Sequence, residues 1–385
     1  MKKKVLFITG SRADYFIQKP LMNEIKKSKI LEPHLIVTGS HLSKKFGYSI
    51  REIIKDKFKI IAKIKNIVVS DKQSSRIESL SLQLLKLVKI VKKNNPDLII
   101  APYDREEAVN ASLIGSYMNI PVAHLGAGDK TSFNVDGIIR HSVTKLASIS
   151  LCFTKKNYER VIKLGEEKWR VFNVGHTAVD RYSSNKEIKK NKLLKLLGLK
   201  IKKSDPILLF IQHPVSNWVE KSKKHINVSL DAINELNLPT IILKSNSDPG
   251  SVIFKKEIKK YKFTNKKIKY FEYLKEDIFI NLVKNTSVLI GNSSMGVLEA
   301  PLLNLPVVNV GLRQKGRQNA GNIKFVAHNK KLIIDAVKKS IFDKKYIKKV
   351  KNSKNPYNNS SSKKIVRILS RMILKPNLIN KKITY

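Results

Sequence analysis

At 385 residues the chain is too long for one ordinary hydrophobic core, so two domains of roughly 150–200 residues are expected. With 42% hydrophobic and 28% charged residues, no apolar run near the ~20 residues of a membrane span and a single cysteine, the composition excludes a membrane-spanning helix, an intramolecular disulfide framework and a Cys-cluster metal site. The net charge is +46, but the excess is mostly lysine spread along the chain without a zinc-finger, RRM-like or KH-like pattern, so a solvated basic surface is expected rather than a specific nucleic-acid site.

The N-terminus MKKKVLFITGSR has the basic start of a signal peptide, but its apolar run is short and meets Gly10-Ser11-Arg12, which reads as a first β-strand instead; the single cysteine, Cys152, fits an expected reducing cytoplasm. Strand patterns then fall at 4–9, 34–38, 97–101, 121–125, 148–153 and 171–174, with helical patterns at 19–27, 74–93, 106–117 and 157–164 between them. A lysine-rich helical stretch, 180–203, interrupts the alternation. Strands resume at 206–212, 240–243, 267–270, 287–290 and 307–310, with helices such as 228–236 and 276–284. The tail has a Ser/Asn-rich turn at 358–362 and a helix at 363–374. Alternating strands and helices predict an α/β fold of two doubly wound parallel sheets. The expected domains are 1–178 and 179–362, with 363–385 a C-terminal helix returning to the first domain.

In such sheets ligands bind beyond the C-terminal strand ends, and two such domains facing one another would form a cleft. The loops at those ends hold Arg12, Asp104, His124, Asp129, Asp136 and His213. Asp104, Asp129 and Asp136 supply carboxylates for acid–base work, and crowded carboxylates raise one another's pKa. The plain alternative for Asp104 and Asp136 is helix N-capping. No i,i+3 or i,i+4 His/carboxylate pair supports a metal site, and there is no G-x-S-x-G, G-x-G-x-x-G or Walker A loop.

The stretch LIGNSSMGVLEAPLLNLPVVNVGLRQKGR (289–317) reads as strand, small-residue turn, helix, strand and basic loop. Ser293 and Ser294 lie at the turn, where a helix N-terminus favours phosphate, and Glu299 is expected inside the helix, in reach of a ribose diol. An ordinary strand-to-helix turn with a surface Glu fits the spacing equally well.

With ITGSRADY (8–15), DREEA (104–108), GDKTSFNVDGIIRHSVTKLA (128–147), QHP (212–214), SNSDPGS (245–251), GNSSMGVLEAP (291–301) and VNVGLRQKGR (308–317) in this order, the chain resembles the UDP-N-acetylglucosamine 2-epimerases, especially the hydrolysing branch of sialic-acid-type sugar biosynthesis. The resemblance runs from residue 4 to about 370 and implies a GT-B fold, a nucleotide-sugar substrate, no metal or nicotinamide cofactor, and a homodimer. It implies catalytic roles for Asp104, Asp129, Asp136, His213 and Arg12, and nucleotide binding by Arg12, Ser293, Ser294, Gly296 and Glu299. His124, Arg313 and Arg317 are implied to enclose substrate.

Positions 103, 126, 129 and 137 depart from the family pattern, Asp129 standing where many hydrolysing members have Glu. Tyr103 stands where the family's G-D-R motif has glycine, Gly126 where non-hydrolysing relatives carry a catalytic glutamate, and Gly137 where an acidic residue is frequent. The second departure argues against a reversible, non-hydrolysing epimerase. A GT-B glycosyltransferase and a catalytically weak nucleotide-sugar-binding homologue are the alternatives.

Overall fold

Short runs of Ile, Val, Leu and Phe bounded by polar turns make strands that can be buried on both faces, as parallel sheets require. The computed structural model describes residues 1–70, 72, 74–131, 135–357, 361–375 and 377–385. It divides into a unit made of Met1–Lys130, Val135–Arg181 and Tyr357–Tyr385 and a second built on Tyr182–Pro356. Residues 132–134 of the 128–147 motif, and 358–360 of the expected Ser/Asn-rich turn, lie outside the described residues.

The first unit runs β1 (Lys3–Thr9), α1 (Arg12–Lys26), β2 (Leu31–Thr38), α2 (Ile50–Lys55), β3 (Lys59–Ile64), α3 (Ser74–Asn94), β4 (Leu98–Pro102), α4 (Glu106–Tyr117) and β5 (Val122–Leu125). It continues with α5 (Asp136–Leu146), β6 (Ile149–Cys152), α6 (Lys155–Lys163) and β7 (Val171–Asn173), and α7 (Ala178–Ser183) leads out of it. All its strands are parallel, in the order β3-β2-β1-β4-β5-β6-β7. Leu6, Ile8, Ile36, Ile99, Ala101 and Val122 face α3, α4 and α5. The alternate residues Val5, Phe7, Leu35, Val37 and Ile100 are equally buried, so neither face of the sheet is open.

The second unit holds α8 (Lys190–Leu196), β8 (Leu208–Ile211), α9 (Ser222–Leu236), β9 (Thr240–Leu243), α10 (Ser251–Lys260), β10 (Ile268–Phe271), α11 (Glu276–Lys284) and β11 (Val288–Gly291). Then come α12 (Met295–Leu298), β12 (Val307–Val310), β13 (Ile323–Val326), α13 (Lys330–Phe342) and α14 (Lys344–Lys351), before α15 (Ser362–Met372). Its parallel sheet has the order β10-β9-β8-β11-β12-β13, with Phe210, Ile242, Ile290 and Val308 packed against Ile233, Phe254 and Ile333.

The chain leaves the first unit at Arg181 and returns at Tyr357, against the expected 178 and 363. Specific contacts set the return. His176 meets the Tyr357 ring edge-on at 6.1 Å, and Asp180 Oδ2 accepts hydrogen bonds from the N–H groups of Ser361 (3.2 Å) and Ser362 (2.8 Å).

Two strands fall outside the expected set, β3 and β13. Both are edge strands whose lysines break the apolar run, a common protection of an open sheet edge. Helix α1 starts well before the expected residue 19 because Ser11 caps it, accepting from the Asp14 N–H, and Pro20 is accommodated inside. The segment after 293 is shorter than expected. It is a single α-turn, α12, and Glu299 sits at its end, before a 3₁₀ turn opened by Ala300 and Pro301, rather than inside a helix.

Candidate active site

In each sheet the strand order reverses once, between β1 and β4 in the first and between β8 and β11 in the second. Loops leaving those strands diverge to opposite faces of the sheet, and the crevice between them is where doubly wound folds bind ligands. The four loops carry Gly10-Ser11-Arg12, Tyr103-Asp104-Arg105, Gln212-His213 and Asn292-Ser293-Ser294.

At the first reversal, one guanidinium organises two of the expected acids. Arg140, on α5 and almost wholly buried, pairs directly with Asp104. Its Nη1 lies 3.9 Å from Asp129 Oδ2 and donates to the Asp129 carbonyl at 3.1 Å. Asp129 Oδ1 also accepts from the Lys130 N–H at 2.9 Å. Asp136 opens α5 and lies 3.8 Å from Arg76, which pairs with Glu106. Neither Asp104 nor Asp136 is an N-cap, since Arg105 and Val135 take those positions. Asp104 and Asp129 thus share Arg140, while Asp136 shares Arg76 with Glu106.

A second layer of carboxylates, not singled out from the sequence as site residues, backs the first. Glu107 is buried beneath the β1–α1 loop, so close that a β-carbon on Gly10 would fall 1.8 Å from its Oε1. Asp14 is buried beside it and accepts from the Ser11 hydroxyl at 2.6 Å. Arg105 Nε is 3.9 Å from Asp14 and 4.0 Å from Glu107. Burial, reinforced by Glu106 and opposed by Arg105, pushes Glu107 up to about 7. Burial, opposed mainly by Arg105, likewise raises Asp14 to about 6. The elevation expected of crowded carboxylates is therefore found on Asp14 and Glu107, and desolvation is its largest cause. Glu106 goes the other way: burial favours its neutral form, but Arg105 and Arg76 together hold it below the usual range.

Arg12, the first residue of α1, lies over Gly47, where a β-carbon would come within 2.9 Å of its Nη2. Burial disfavours its charge and Glu52 on α2 supports it.

His124, expected to enclose substrate, belongs to β5. It is fully buried, its Nε2 donates to the Tyr103 carbonyl at 2.7 Å, and its Nδ1 faces the Thr144 hydroxyl at 3.0 Å. Burial drives its pKa down to about 3, so the ring is neutral. Its task is to hold Tyr103, whose φ of 58° lies in the left-handed region. The Tyr103 ring packs on Phe153, with centroids 5.5 Å apart, over Gly126.

At the second reversal, the Asn292 side chain clasps the backbone of His213: its Oδ1 accepts from the His213 N–H at 2.7 Å and its Nδ2 donates to the His213 carbonyl at 2.8 Å. The Asn246 N–H donates to His213 Nδ1 at 3.1 Å, so in the neutral ring the proton sits on Nε2. Ser293 Oγ accepts from the Met295 N–H at 3.3 Å. Glu299 is nearly buried.

Gly296, expected to bind nucleotide, has both backbone groups engaged within the unit, its N–H to the Ser293 carbonyl (3.1 Å) and its carbonyl to Asn322 Nδ2 (3.3 Å). A β-carbon there would press on Val307 at 2.9 Å, so its small size serves helix–sheet packing. Arg317, expected to enclose substrate, is buried and donates to Gln314 Oε1 at 2.9 Å. Arg313 is partly exposed; it donates to the Asn292 carbonyl at 3.3 Å and approaches Asp248 at 3.8 Å. Asn292, Arg140 and Arg76 were missed as organisers because a lone Asn after a strand, or a lone Arg on a helix, carries no spacing signal.

The model of the UDP-N-acetylglucosamine 2-epimerase family matches residues 23–370. The chain is 29% identical over 381 residues to UDP-N,N'-diacetylbacillosamine 2-epimerase (hydrolyzing) of Legionella pneumophila, covering 99% of both chains. It is 32% identical over 324 residues to GDP/UDP-N,N'-diacetylbacillosamine 2-epimerase (hydrolyzing) of Campylobacter jejuni, covering 84% of each. Among solved structures it resembles the UDP-GlcNAc 2-epimerase of Neisseria meningitidis bound to UDP-GlcNAc, with a TM-score of 0.76 at 19% identity, covering 94% of this chain and 98% of that one. The fold is the α/β, GT-B-like arrangement of two Rossmann-type parallel sheets. By the family model and these relatives, the chain belongs to the UDP-N-acetylglucosamine 2-epimerase family.

Proposed function

We propose that the protein is a hydrolysing 2-epimerase that converts UDP-GlcNAc, or a modified UDP- or GDP-HexNAc such as a diacetamido sugar, to a ManNAc-type sugar and the nucleoside diphosphate. Such a reaction serves surface-glycan sugar biosynthesis, and the working form is taken to be a cytoplasmic homodimer. The observation that carries the reading is the Arg140-centred group of Asp104 and Asp129, with Asp136 one helical turn away, at the first sheet reversal. The names of the similar enzymes from Legionella and Campylobacter support it.

In this reading a carboxylate of the Asp104/Asp129 pair takes the C2 proton while the C1–O bond to the nucleotide breaks, leaving a 2-acetamidoglucal. Water then adds its oxygen to C1 while C2 receives a proton on the opposite face, which inverts C2 and releases the free sugar. Asp136 is the third acid of the cycle. Arg12, His213 with its proton on Nε2, and the donors around Ser293 and Ser294 stabilise the departing diphosphate. Glu299 accepts from the ribose diol, and Arg313 closes over the bound nucleotide sugar. Gly126 offers no side chain at the slot of the non-hydrolysing glutamate, and the Tyr103 ring fills that space, which supports the hydrolysing over the reversible reaction.

The test is incubation with UDP-GlcNAc, and separately with UDP- and GDP-diacetamido sugars, in D2O with NMR of the sugar. Nucleotide release with deuterium at C2 of a manno-configured product is expected. Intact sugar across the whole panel, or transfer to an acceptor with C2 configuration kept, would overturn the proposal.

A further inference from the structure

The stretch from Lys324 to Lys354 carries eleven lysines, two aspartates and no arginine or glutamate. It folds as β13, α13 and α14 within the second unit. Apolar residues fix which way the lysines point. On α13 Ile333, Ile334, Ala336, Val337 and Ser340 are buried, so helical spacing turns Lys331, Asp335, Lys338 and Phe342 outward as one stripe. On α14 Val350 is buried and the Tyr346 hydroxyl donates to the Asn322 carbonyl at 3.2 Å, which turns Lys344, Lys345 and Lys348 outward.

The cations are crowded. Lys324 lies over the Tyr346 ring, 4.3 Å from its centroid, and burial together with Lys339 and Lys349, against Asp343, lowers its pKa. Asp343 is occupied as the N-cap of α14, accepting from the Tyr346 N–H at 3.0 Å. Asp335 interrupts the outer stripe, with Lys331 and Lys338 about a turn away on either side. Phe342 stands at the corner where α13 ends and α14 begins, 64% exposed among these lysines. Lysines alone are ordinary in a chain of net charge +46, but a large aromatic held out among them is costly unless something covers it.

We propose that this α13–α14 face docks on an anionic phospholipid bilayer. Lysines on two helices with an apolar side chain at their corner supply the two terms such docking needs, attraction to lipid phosphates and burial of an apolar group at the interface. The lack of arginine disfavours nucleic acid, whose phosphates and guanines are gripped by planar guanidinium forks. The direction of α13 keeps the nucleotide loops of the second unit clear. It runs back along the parallel sheet after β13, so Phe342 lies toward the N-terminal strand ends, away from the loops that follow β8 and β11. Lys324, near the start of β13 and beside Lys339, marks the same end. The inference goes beyond the proposed reaction by giving the enzyme a surface to work on, and it stands or falls separately, because the readout below uses no substrate.

Flotation of the full chain with vesicles tests it. At roughly 0.15 M salt the native protein is expected to float with phosphatidylcholine vesicles containing about one-third phosphatidylglycerol, and to stay in solution with phosphatidylcholine alone. Lys338→Glu, Lys345→Glu and Lys348→Glu together are expected to lower partitioning by about 100-fold or more, since each lysine near such a surface is worth roughly fivefold. Lys189→Glu, Lys192→Glu and Lys195→Glu, at α8, change the net charge equally and are expected to leave partitioning within about fivefold. Phe342→Ser changes no charge and is expected to lower partitioning about tenfold, and it decides if the charged variant misfolds. A native protein that stays in solution overturns the proposal, as does equal loss in the two lysine triples, or flotation unchanged by the α13–α14 substitutions. Binding of single-stranded RNA that the α13–α14 triple abolishes while flotation is kept also overturns it, and assigns the face to nucleic acid.

Discussion

The ring of Tyr103 lies where a side chain at Gly126 would go: a β-carbon at 126 would come within 3.0 Å of Tyr103 Cδ1 and 3.1 Å of the Phe153 ring. The two departures from the family pattern are thus one packing solution, a large residue at 103 matched to none at 126. Gly126 also holds φ at 93°, which disfavours any β-carbon. Gly126→Ala is expected to cost about 2–4 kcal/mol of stability. Tyr103→Gly loses aromatic packing but relaxes a left-handed backbone, for a net cost of about 2 kcal/mol. Combined, the two should be milder than their sum by at least ~1 kcal/mol in urea unfolding. Strict additivity would refute the coupling.

Arg140→Lys keeps a cation but loses the fork that spans Asp104 and Asp129. The expected result is a fall in kcat of about 10–100-fold with UDP affinity within roughly twofold, because the nucleotide is assigned to other residues. Asp104→Asn should lower kcat further, by ~10²–10⁴. Calorimetry with UDP beside steady-state kinetics separates the two effects, and equal losses in binding and turnover would count against the assignment.

Asn292→Ala removes both hydrogen bonds that fix the His213 backbone. At ~1 kcal/mol apiece, their loss should weaken UDP binding about tenfold or more. Unchanged UDP affinity by calorimetry would place His213 away from the nucleotide.

Glu107 gives stability a pH dependence of definite sign. Its folded pKa, about 7, lies above the ~4.3 of an unfolded chain, so the folded state keeps a proton that the unfolded state has shed. This contribution is full below pH ~4 and is lost as pH rises through 7. Asp14, at about 6, adds in the same direction. Glu107→Gln keeps the shape and removes the linkage, so stability between pH ~4.5 and 7 should fall less steeply than in the native protein, by on the order of 2 kcal/mol. Superimposable profiles of urea midpoint against pH would contradict the raised value.

Most of the fold was legible because buried parallel strands write themselves as apolar runs, as at β4 and β8. Edge strands do not: β3 alternates lysine with isoleucine and reads as polar surface. Polar residues at the strand ends were equally legible, since Asp104, Asp129 and His213 all follow strand termini. What each does there was not. His124 stands at a strand end like the others, yet faces Thr144 and the Tyr103 backbone inside the protein. Asp14 and Glu107 looked like ordinary helix carboxylates until the approach of Gly10 showed where they were buried. Linear spacing records which side of a strand or helix a residue takes, whereas desolvation depends on what another loop brings over it.

The capture of α15 by Asp180 has a consequence for synthesis. Asp180 Oδ2 accepts from both Ser362 groups, N–H at 2.8 Å and hydroxyl at 2.6 Å, and buried Arg170 donates to the carbonyls of Leu378 and Asn380. The helix that completes the first unit is therefore translated last, after the second unit has left the ribosome. At ~5–20 residues per second, the sequence between β7 and α15 takes roughly 10–40 s to emerge. Through that interval the nascent first unit waits with the docking site for α15 uncovered, an opening for chaperones that the finished protein closes.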